Sequence, residues 1–519
     1  MGEDQREAIA FLADPASYGG RVERVERIET HISLVFLAGP CAYKLKRAVR
    51  YPYLDFTTAA RRRAACEAEL ALNRRTAPAI YREVRGLVRR QGGRIAFGGG
   101  DAAIDWVVVM TRFEQSLLFD ALARAGRLTA PLIDALADHI ARFHEAAERR
   151  PQFGGAAALA AVAEENHQCL SAAEGAGFDR RQVAAVGDRT RATLARLAPL
   201  LDRRRDAGKV RRVHGDLHLR NICLFEGRPT LFDCIEFSEP LASIDVLYDL
   251  AFLLMDLEHC GLAGFANRVL NRYFDVFEPA ADGEEEGLAA LPLYLSLRAV
   301  IRAHVTASTL AHAEAAGRAA AAAEARQYLD LAGRLLDPAS PRLVALGGPS
   351  GSGKTTLALA LAPGLGARPG ARVLRSDVVR KTLAGLAPEE RLPASAYTEE
   401  ASRRVYAALC GKAAAALAAG HSVILDAVAL LPEERAQFAE VARRAAAPFT
   451  GIWLEAPAET MAARIRARHA DASDATEAVL ALQLAQDPGP IDWPVLDAGA
   501  GAEATLAAAR HILGDASLR

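Results

Sequence analysis

The sequence predicts two folds in one chain: an α+β part with two lobes over residues 1–336 and an α/β part with a parallel sheet over residues 342–519. Strand-like alternation dominates up to residue 112, and helical spacing dominates from 113 to 336. Beyond residue 342, apolar strands alternate with helices, which is typical of a parallel α/β sheet. Two prolines after an Ala-rich helix mark residues 337–341 as a linker.

The composition is that of an ordinary globular protein, with 519 residues, 51% hydrophobic and 24% charged. The net charge is −1, and the stretch from Arg342 onward contains 19 Lys and Arg residues and 19 Asp and Glu residues. This balance weighs against a nucleic-acid partner, which needs a basic face. Scattered cysteines, a polar N-terminus and the lack of a long apolar run favour a reduced, cytoplasmic protein without membrane contact.

Lysine is rare in this chain. It occurs six times, whereas arginine supplies the other 57 of the 63 basic residues. A lysine kept against this background is expected to act through its compact point charge. Lys44, Lys46 and Lys354 are therefore candidates for contacting phosphate groups.

The elements of the first part follow from apolar spacing and turn residues. In the first lobe, residues 1–112, we expect a helix and a charged segment (1–30), a β-hairpin (32–46), a helix (57–76) and two strands (81–90, 104–112). The second lobe should have eight helices (116–125, 130–148, 156–172, 181–204, 244–258, 262–277, 287–312, 314–336), with a strand (210–213) and a hairpin (222–233) in the middle. Lys44 and Lys46 then share one face of a strand.

The part from 342 to 519 should contain five strands, near 342–346, 372–375, 422–425, 450–454 and 494–496. The helices expected between and after them lie near 353–362, in the stretch up to 419, and at 432–446, 457–469, 474–486 and from 501. Because ligands bind at the carboxyl ends of parallel strands, polar residues after these strands are site candidates.

Residues 348–355, GPSGSGKT, match the nucleotide-binding pattern G-x-x-x-x-G-K-[ST], between an apolar strand and a helix. Glycines allow backbone N–H groups to turn toward phosphate oxygens, and the helix N-terminus adds positive potential. We expect Lys354 to reach the terminal phosphates and Thr355 to hold Mg²⁺. The expected nucleotide-binding residues are Gly348, Ser350, Gly351, Ser352, Gly353, Lys354, Thr355 and Thr356.

Further candidates follow the later strands of this part. Asp377 follows the second strand and could activate an acceptor hydroxyl, although it could also simply cap a helix. Arg380, one helical turn on, could hold the acceptor or the transferred phosphate. Asp426 could bind Mg²⁺, or it could be an ordinary helix-cap or strand-end carboxylate. Arg464 and Arg468 share a helix face, as a lid over the phosphates or as a solvated basic surface.

A second group of phosphate-transfer residues lies in the first part. It comprises the sequence His214-Gly215-Asp216, Asn221 five residues later, and Asp233 at the end of the next hairpin. Asp216 could orient an acceptor hydroxyl or accept its proton, while Asn221 and Asp233 could converge on the metal that bridges nucleotide phosphates.

The stretch HGDLHLRNI (214–222), with FDCIE (232–236), resembles the catalytic loop and metal-binding segment of aminoglycoside phosphotransferase-like kinases, which have the protein-kinase fold. The resemblance implies that Lys44 grips phosphate, with Lys46 competing for that role. It implies that Glu69, or else Glu67, is the lysine's partner. Met110 to Phe113 would be the hinge that reads adenine, and Asp245 and Asp249 would support the loop. One departure is that residues 20–40 contain no G-x-G-x-x-G loop.

From 342 onward, the order of motifs resembles small P-loop kinases, the group of gluconate kinases, chloramphenicol phosphotransferase, zeta toxins and polynucleotide 5′-kinases. The whole chain resembles a bacterial family in which an aminoglycoside phosphotransferase-like domain is fused to a P-loop kinase. This resemblance implies a bifunctional, ATP- and Mg²⁺-dependent phosphotransferase that acts on hydroxyls of small polar molecules. Two alternatives stay open: a single kinase regulated by a P-loop switch, and a nucleic-acid 5′-kinase.

Overall fold

The computed structural model describes residues 3–20, 22–51, 54–100, 103–173, 175–277, 284–311, 315–467 and 472–514. The chain divides into two compact units. The first consists of Met1–Leu136, Ala146–Gly154 and Arg205–Asp249, and the second of Ala137–Glu145, Gly155–Arg204 and Leu250–Arg519. The predicted boundaries at 112, 336 and 341 stay predictions.

The first unit is built on a six-stranded antiparallel sheet in the order β1-β2-β3-β8-β6-β7, accompanied by three two-stranded ladders. Its strands are β1 (Val25–Glu29), β2 (Ser33–Ala38), β3 (Cys41–Lys46), β4 (Arg50–Tyr51), β5 (Leu54–Asp55), β6 (Tyr81–Arg89), β7 (Ile95–Gly98), β8 (Ala103–Thr111), β9 (Val210–Arg212), β10 (Ile222–Phe225), β11 (Arg228–Leu231) and β12 (Ser243–Asp245).

The described helices of the whole chain are α1 (Arg6–Ala13), α2 (Ala59–Asn73), α3 (Phe119–Arg124), α4 (Ala130–Ala146), α5 (Gly155–Ala172), α6 (Arg180–Asp206), α7 (Glu239–Ala242), α8 (Val246–His259), α9 (Ala263–Val276), α10 (Leu291–Ser308), α11 (Ala315–Leu335), α12 (Lys354–Leu361), α13 (Ser376–Leu383), α14 (Glu399–Ala418), α15 (Pro432–Arg444), α16 (Ala458–Arg466), α17 (Glu477–Ala485) and α18 (Ala502–Ile512). Short 3₁₀ turns link several of them.

The alternation of side chains along β3 gives the sheet two different faces. Tyr43 and Leu45 join the apolar cluster on one face. Ala42 joins the cluster on the opposite face, together with Cys66 of α2. Because successive strand residues point to opposite faces, Lys44 and Lys46 share the α2 side. The register of β3 therefore places both lysines beside α2.

Helix α2 is fixed against the sheet by its cap and by a buried ion pair. The Thr58 hydroxyl accepts the N–H of Arg61, which caps the first turn. The Arg62 guanidinium donates to both carboxylate oxygens of Asp105 on β8, at 2.7 and 3.0 Å, and both side chains are buried. This bidentate contact sets the position of α2, and hence of the residues it presents to β3.

The second unit contains a five-stranded parallel sheet in the order β14-β15-β13-β16-β17. Its strands are β13 (Leu343–Gly347), β14 (Arg372–Arg375), β15 (Val423–Asp426), β16 (Phe449–Glu455) and β17 (Val495–Asp497). Val344, Leu346, Ile424 and Ile452 pack with α12 and α18 in one buried cluster. The strand–helix alternation predicted for this part is confirmed, and so is the fold class of both parts.

Strand β14 lies at the edge of this sheet, and α9 of the same unit covers it. Asn271 Oδ1 accepts the N–H of Val373 at 2.7 Å, and the side-chain amides of Asn267 and Asn271 donate to Ala371 O at 3.0 and 3.1 Å. Arg372 donates to Asp275 at 2.7 Å. These buried groups satisfy edge-strand polar atoms that a sheet otherwise leaves unpaired.

Three sequence expectations need correction. The charged segment within residues 1–30 contains β1, four of whose five side chains are exposed, so no apolar alternation signalled it. Strand β7 was missed because it is only four residues long and lies between glycine-rich turns. Within the described ranges, one helical stretch, Glu284–Ser308, is apolar and long enough to cross a membrane, but 67% of its apolar window is buried inside the protein, as in a core helix.

Candidate active sites

The first site is centred on Lys44 at the middle of the six-stranded sheet. Its Nζ lies 2.8 Å from Glu69 Oε1 and 2.5 Å from Asp233 Oδ1. The Lys44 side chain is 12% exposed and that of Glu69 is fully buried. Burial alone would lower the Lys44 pKa, but the carboxylates of Asp233 and Glu69 outweigh it and raise the pKa well above its usual value. The lysine is therefore fully charged at neutral pH.

The structure separates the competing candidates of this site. Lys46 is fully buried, donates to Glu69 Oε2 at 2.6 Å, and also contacts Glu236. Glu67 instead pairs with Arg63 at 2.9 Å on the exposed side of α2. Of the two lysines, Lys44 is the one that contacts Asp233, and of the two glutamates, Glu69 is the one that faces the lysines.

The loop that carries Asp216 is held by buried polar contacts. The N–H groups of His214 and Gly215 donate to the two carboxylate oxygens of Asp249, at 3.2 and 2.8 Å. His214 Nε2–H donates to Phe232 O at 2.9 Å. Gly215 has φ +83°, and a Cβ there would lie 3.0 Å from Leu241 O. The loop therefore needs both this glycine and the Asp249 carboxylate.

Within the loop, the structure brings Asp216 and Asn221 together. Asn221 Nδ2 donates to the backbone oxygen and to Oδ2 of Asp216, both at 2.9 Å. His218 Nε2 lies 3.3 Å from the same Oδ2. The Asp216 side chain keeps 38% of its surface exposed, so the carboxylate stays open to an incoming molecule.

Asp233 follows the β10–β11 hairpin in a left-handed conformation with φ +62°, which is uncommon for a residue other than glycine. Its N–H donates to the hydroxyl of Tyr81 at 3.1 Å, and the next N–H, of Cys234, donates to Asn73 Oδ1 at 2.9 Å. The carboxylate is 42% exposed. Strain of this kind is held by surrounding contacts and is common at functional sites.

Met110 lies near the end of β8, in register with Ala42 of β3 and Tyr81 of β6. The N–H groups of the next two residues, Thr111 and Arg112, donate to Ile80 O and Pro40 O. The structure thus places Met110 in the sheet directly before the chain leaves it. Its role in reading adenine stays a prediction.

The second site is the glycine loop between β13 and α12. Gly348, Gly351 and Gly353 have φ of +132°, +82° and +101°. A Cβ at Gly348 would lie 2.2 Å from Leu454 O, and one at Gly351 would lie 2.6 Å from Met461 O. Glycine is therefore required at both positions by conformation and by space.

Polar side chains around this loop have the chemistry of a Mg·nucleotide site. The Thr355 hydroxyl donates to Asp426 Oδ2 at 2.6 Å, so the two predicted metal residues meet. Lys354 Nζ donates to Gly348 O and Pro349 O, both at 2.8 Å. The buried Ser352 hydroxyl has no hydrogen-bond partner in the described residues, which fits a phosphate oxygen as its missing partner. Thr356 is exposed.

Asp377 lies in the first turn of α13, half-buried, and is hydrogen bonded to Ser473. Burial is the main cause of its raised pKa, and the nearby Asp426 carboxylate adds to it, whereas Arg375 and Lys354 oppose the rise. Asp377 therefore shares one electrostatic environment with the loop lysine and the predicted metal carboxylate.

The predicted arginines have different surroundings. Arg464 reaches the glycine loop, donating to Gly351 O and Ser352 O at 3.3 and 3.4 Å and to Ala498 O at 2.8 Å. Arg380 donates to Ala396 O at 3.0 Å and stacks over Tyr397, so it is held by the segment before α14. Arg468 lies outside the described residues.

Sequence reasoning missed several contacts of these sites. Gln483 on α17 accepts the N–H of Ser350 at 2.8 Å. Ser473 and Glu236 were also not singled out, and no motif marks a lone Gln or Ser. Lys46, by contrast, was a candidate from the sequence, because lysine is rare in this chain.

The donor sets suit Mg²⁺, which binds a few protein oxygens and keeps several waters. Among the described residues, no group of three or more His, Cys, Asp or Glu side chains is placed to hold a metal ion. The candidate ligands are instead Asn221 and Asp233 in the first site, and the hydrogen-bonded pair of Thr355 and Asp426 in the second. Such oxygen sets fit a metal that also binds nucleotide phosphates.

Comparison with known proteins finds a family model for each of the two parts that carry these sites. The phosphotransferase enzyme family model matches residues 56–286, and an AAA domain model matches residues 343–488. An uncharacterized protein of Mycobacterium tuberculosis is 32% identical over 506 residues, which cover 93% of this chain and 94% of the relative. The chain belongs to the family of this relative. It is a kinase-type enzyme with an N-terminal phosphotransferase domain of protein-kinase-like fold and a C-terminal P-loop domain, which implies ATP as the phosphate donor.

Two solved structures show partial similarity. A sugar kinase from a Janibacter species is 26% identical, covers 34% of this chain and 96% of its own, and has a TM-score of 0.28. A choline/ethanolamine kinase family protein from Mesorhizobium loti is 15% identical, covers 63% of this chain and 99% of its own, and has a TM-score of 0.37.

Proposed function

We propose that this chain is a bifunctional phosphotransferase, with one Mg·ATP site in the phosphotransferase domain and one in the P-loop domain. Each site would transfer the γ-phosphate of ATP to a hydroxyl of a small polar molecule. The observation that carries the proposal is that each domain independently combines a lysine, candidate oxygen ligands for Mg²⁺ and an accessible or half-buried aspartate. The predicted roles of these residues are proposals.

In the phosphotransferase domain, Asp216 would accept the acceptor's hydroxyl proton. The acceptor oxygen would then bond to the γ-phosphorus while the bond from that phosphorus to the bridging oxygen of ADP breaks. Lys44 would contact the phosphates, with Glu69 keeping it oriented. Mg²⁺, held by Asn221 and Asp233, would neutralise charge on the phosphate oxygens. The exposure of Asp216 and Asp233 supports these assignments.

In the P-loop domain, the backbone N–H groups around Gly351 and Gly353 would bind phosphate oxygens, and Lys354 would turn from the loop carbonyls to the terminal phosphates. Thr355 and Asp426 would hold Mg²⁺. Asp377 would accept the proton of the second acceptor, and Arg464 would stabilise charge on the transferred group. The contacts of Arg464 with Gly351 O and Ser352 O support its place in this set.

The proposal is tested by two single-site variants of the full chain in an acceptor screen that measures ADP release. Asp216→Asn should remove one acceptor-dependent activity and Lys354→Ala another, each by about a hundredfold or more. Arg403→Ala, which changes an exposed arginine of α14 paired with Glu399, is the control and should leave both activities unchanged. If neither variant lowers ADP release with any acceptor, the proposal is wrong.

The same screen separates the alternatives. Nucleotide binding at the P-loop without any Lys354-dependent ADP release would identify a regulatory switch. Lys354-dependent release that requires an oligonucleotide, with binding that weakens steeply as salt rises, would identify a nucleic-acid 5′-kinase. The balance of 19 basic and 19 acidic residues from Arg342 onward favours small acceptors.

A further inference from the structure

A second lysine–glutamate pair lies beside Lys44 and Glu69. The Lys46 side chain is fully buried and that of Glu236 is 5% exposed, and the two form an ion pair. Lys46 also lies 2.6 Å from Glu69 Oε2, whereas Lys44 lies 2.8 Å from Glu69 Oε1. The two carboxylate oxygens of Glu69 are thus divided between two lysines.

The pair connects three separate pieces of chain. Lys46 is on β3, Glu69 is on α2, and Glu236 follows Asp233 by three residues in the segment after β11. Lys44 connects the same pieces through Glu69 and Asp233. However, Lys44 and Asp233 are the groups that would also have to bind phosphate and Mg²⁺, whereas the buried Lys46 has no exposed surface with which to meet a ligand.

We propose that Lys46 and Glu236 are positioning residues, which hold Glu69 and the Asp233 segment in place while Lys44 and Asp233 contact Mg·ATP. This inference rests on the proposed function of the N-terminal site. It gives Lys46 a role different from that of Lys44, so the two lysines do not compete. It also accounts for a fully buried lysine in a chain that uses arginine at 57 of its 63 basic positions.

The charges explain why the pair matters to Lys44. Burial raises the pKa of Glu69, but Lys44 and Lys46 outweigh it and lower the pKa to about 2. Without Lys46, the carboxylates of Glu69 and Glu236 would face one remaining lysine in a buried site. Lys44 would then be drawn further toward the protein carboxylates and away from phosphate.

A purely structural role makes a different prediction. Removing one partner of a buried ion pair destabilises a protein strongly, whereas replacing both by apolar residues of similar volume is often neutral. If Lys46 and Glu236 served stability alone, the double variant Lys46→Met/Glu236→Met would restore both folding and function. If they position Glu69, the double variant should fold but stay impaired.

The test uses the full chain and an ATP analogue, fluorosulfonylbenzoyl adenosine, whose electrophile labels a lysine beside the bound nucleotide. Labelling of Lys44 is followed by mass spectrometry, and stability by thermal melting. We expect Lys46→Met to lower the melting temperature, and Lys46→Met/Glu236→Met to regain it. In the double variant, Lys44 labelling should still be slower by about tenfold or more, and Asp216-dependent ADP release lower by about a hundredfold.

The outcomes distinguish this inference from the proposed function. Wild-type labelling rate and turnover in the stable double variant would overturn the inference and leave the proposed function intact. No labelling of Lys44 in wild type would contradict the N-terminal nucleotide site itself. If the double variant does not fold, Glu236→Gln decides, with slower Lys44 labelling expected and unchanged labelling overturning the inference. Lys209→Met, at a buried lysine outside the cluster, is the control.

Discussion

The hydroxyl of Thr355 donates a hydrogen bond of 2.6 Å to Oδ2 of Asp426, which joins the glycine loop to the end of β15. Thr355 lies in the first turn of α12, which follows β13 and the glycine loop, and Asp426 ends β15. Because β13 and β15 are neighbouring parallel strands, their carboxyl ends meet at one edge of the sheet. A hydroxyl and a carboxylate at this distance can share one Mg²⁺.

Asp426→Asn should therefore weaken Mg·ATP binding at the P-loop by about tenfold while changing metal-free ATP binding little, because an amide oxygen is a poorer Mg²⁺ ligand. Isothermal titration with and without Mg²⁺ checks this in a Lys44→Ala background that silences the other site. Asp492→Asn, at an exposed position, is the control. Equal loss with and without Mg²⁺ would mean that Asp426 holds the loop instead of the metal.

Gly348→Ala should remove nucleotide binding at the P-loop. The added Cβ would lie 2.2 Å from Leu454 O, and φ +132° disfavours alanine. Gly411→Ala, in the middle of α14 where a Cβ meets no atom within 4 Å, should keep binding and increase stability by roughly 0.5–1 kcal/mol. Fluorescent-nucleotide titration and chemical denaturation measure the two effects. Unchanged affinity in Gly348→Ala would contradict the loop geometry.

Asp377→Asn should stabilise the protein near neutral pH while removing Lys354-dependent turnover. Since the folded-state pKa of Asp377 is raised, the folded protein binds the proton more tightly than the unfolded chain. The free energy of unfolding therefore decreases as pH rises from the unfolded-state pKa to the folded-state pKa of Asp377. At pH 7 the ionised carboxylate destabilises the folded protein, and an uncharged amide does not. Calorimetry of wild type and variant checks the sign, and a lower melting temperature in the variant would contradict it.

The same raised pKa predicts the acid limb of the P-loop site. Asp377 must be ionised to accept a proton, so Lys354-dependent ADP release should fall as pH drops through a pKa above the usual aspartate value of 3.8. At pH values well above that pKa the carboxylate stays ionised, so turnover should no longer change with pH because of this group. A pH profile of turnover measures this. An acid limb at or below the usual aspartate value would exclude Asp377 as the group responsible.

Asn271→Leu should destabilise the second unit by about 1–3 kcal/mol, because the buried N–H of Val373 would lose its side-chain acceptor. The carbonyl of Ala371 would lose one of its two side-chain donors and keep Asn267. Urea denaturation of the full chain measures this. We also expect a fragment that begins at residue 341 to be less stable than the full chain, since it lacks α9 beside β14. A fragment as stable as the P-loop domain in the full chain would show that the contact contributes little.

Most of the fold could be predicted from local patterns. The β2–β3 hairpin, α2 and the five parallel strands were found because apolar spacing and glycine loops are local signals. Strand β1 could not be found in this way, since its side chains are mostly exposed and it is defined by its hydrogen-bonded pairing with β2, which local sequence does not show.

The sites divide in the same way. Motifs at fixed spacing selected Asp216, Asn221, Lys354 and Thr355 as candidates. Contacts between distant segments, such as Lys46 with Glu236 or Ser350 with Gln483, have no signature in spacing, because they arise only when sheet and helices pack. For Arg380, the spacing after the strand predicted contact with an acceptor or phosphate. It could not predict that the side chain contacts Ala396 and Tyr397, which lie in a distant segment.

The central claim, two Mg·ATP sites in one chain, is tested most directly by binding stoichiometry. Isothermal titration with a non-hydrolysable ATP analogue and Mg²⁺ should give two sites per chain for wild type, one for Lys44→Ala, one for Lys354→Ala and none for the double variant. If wild type binds one nucleotide per chain, and only one of the two single substitutions abolishes that binding, the claim of two sites is wrong.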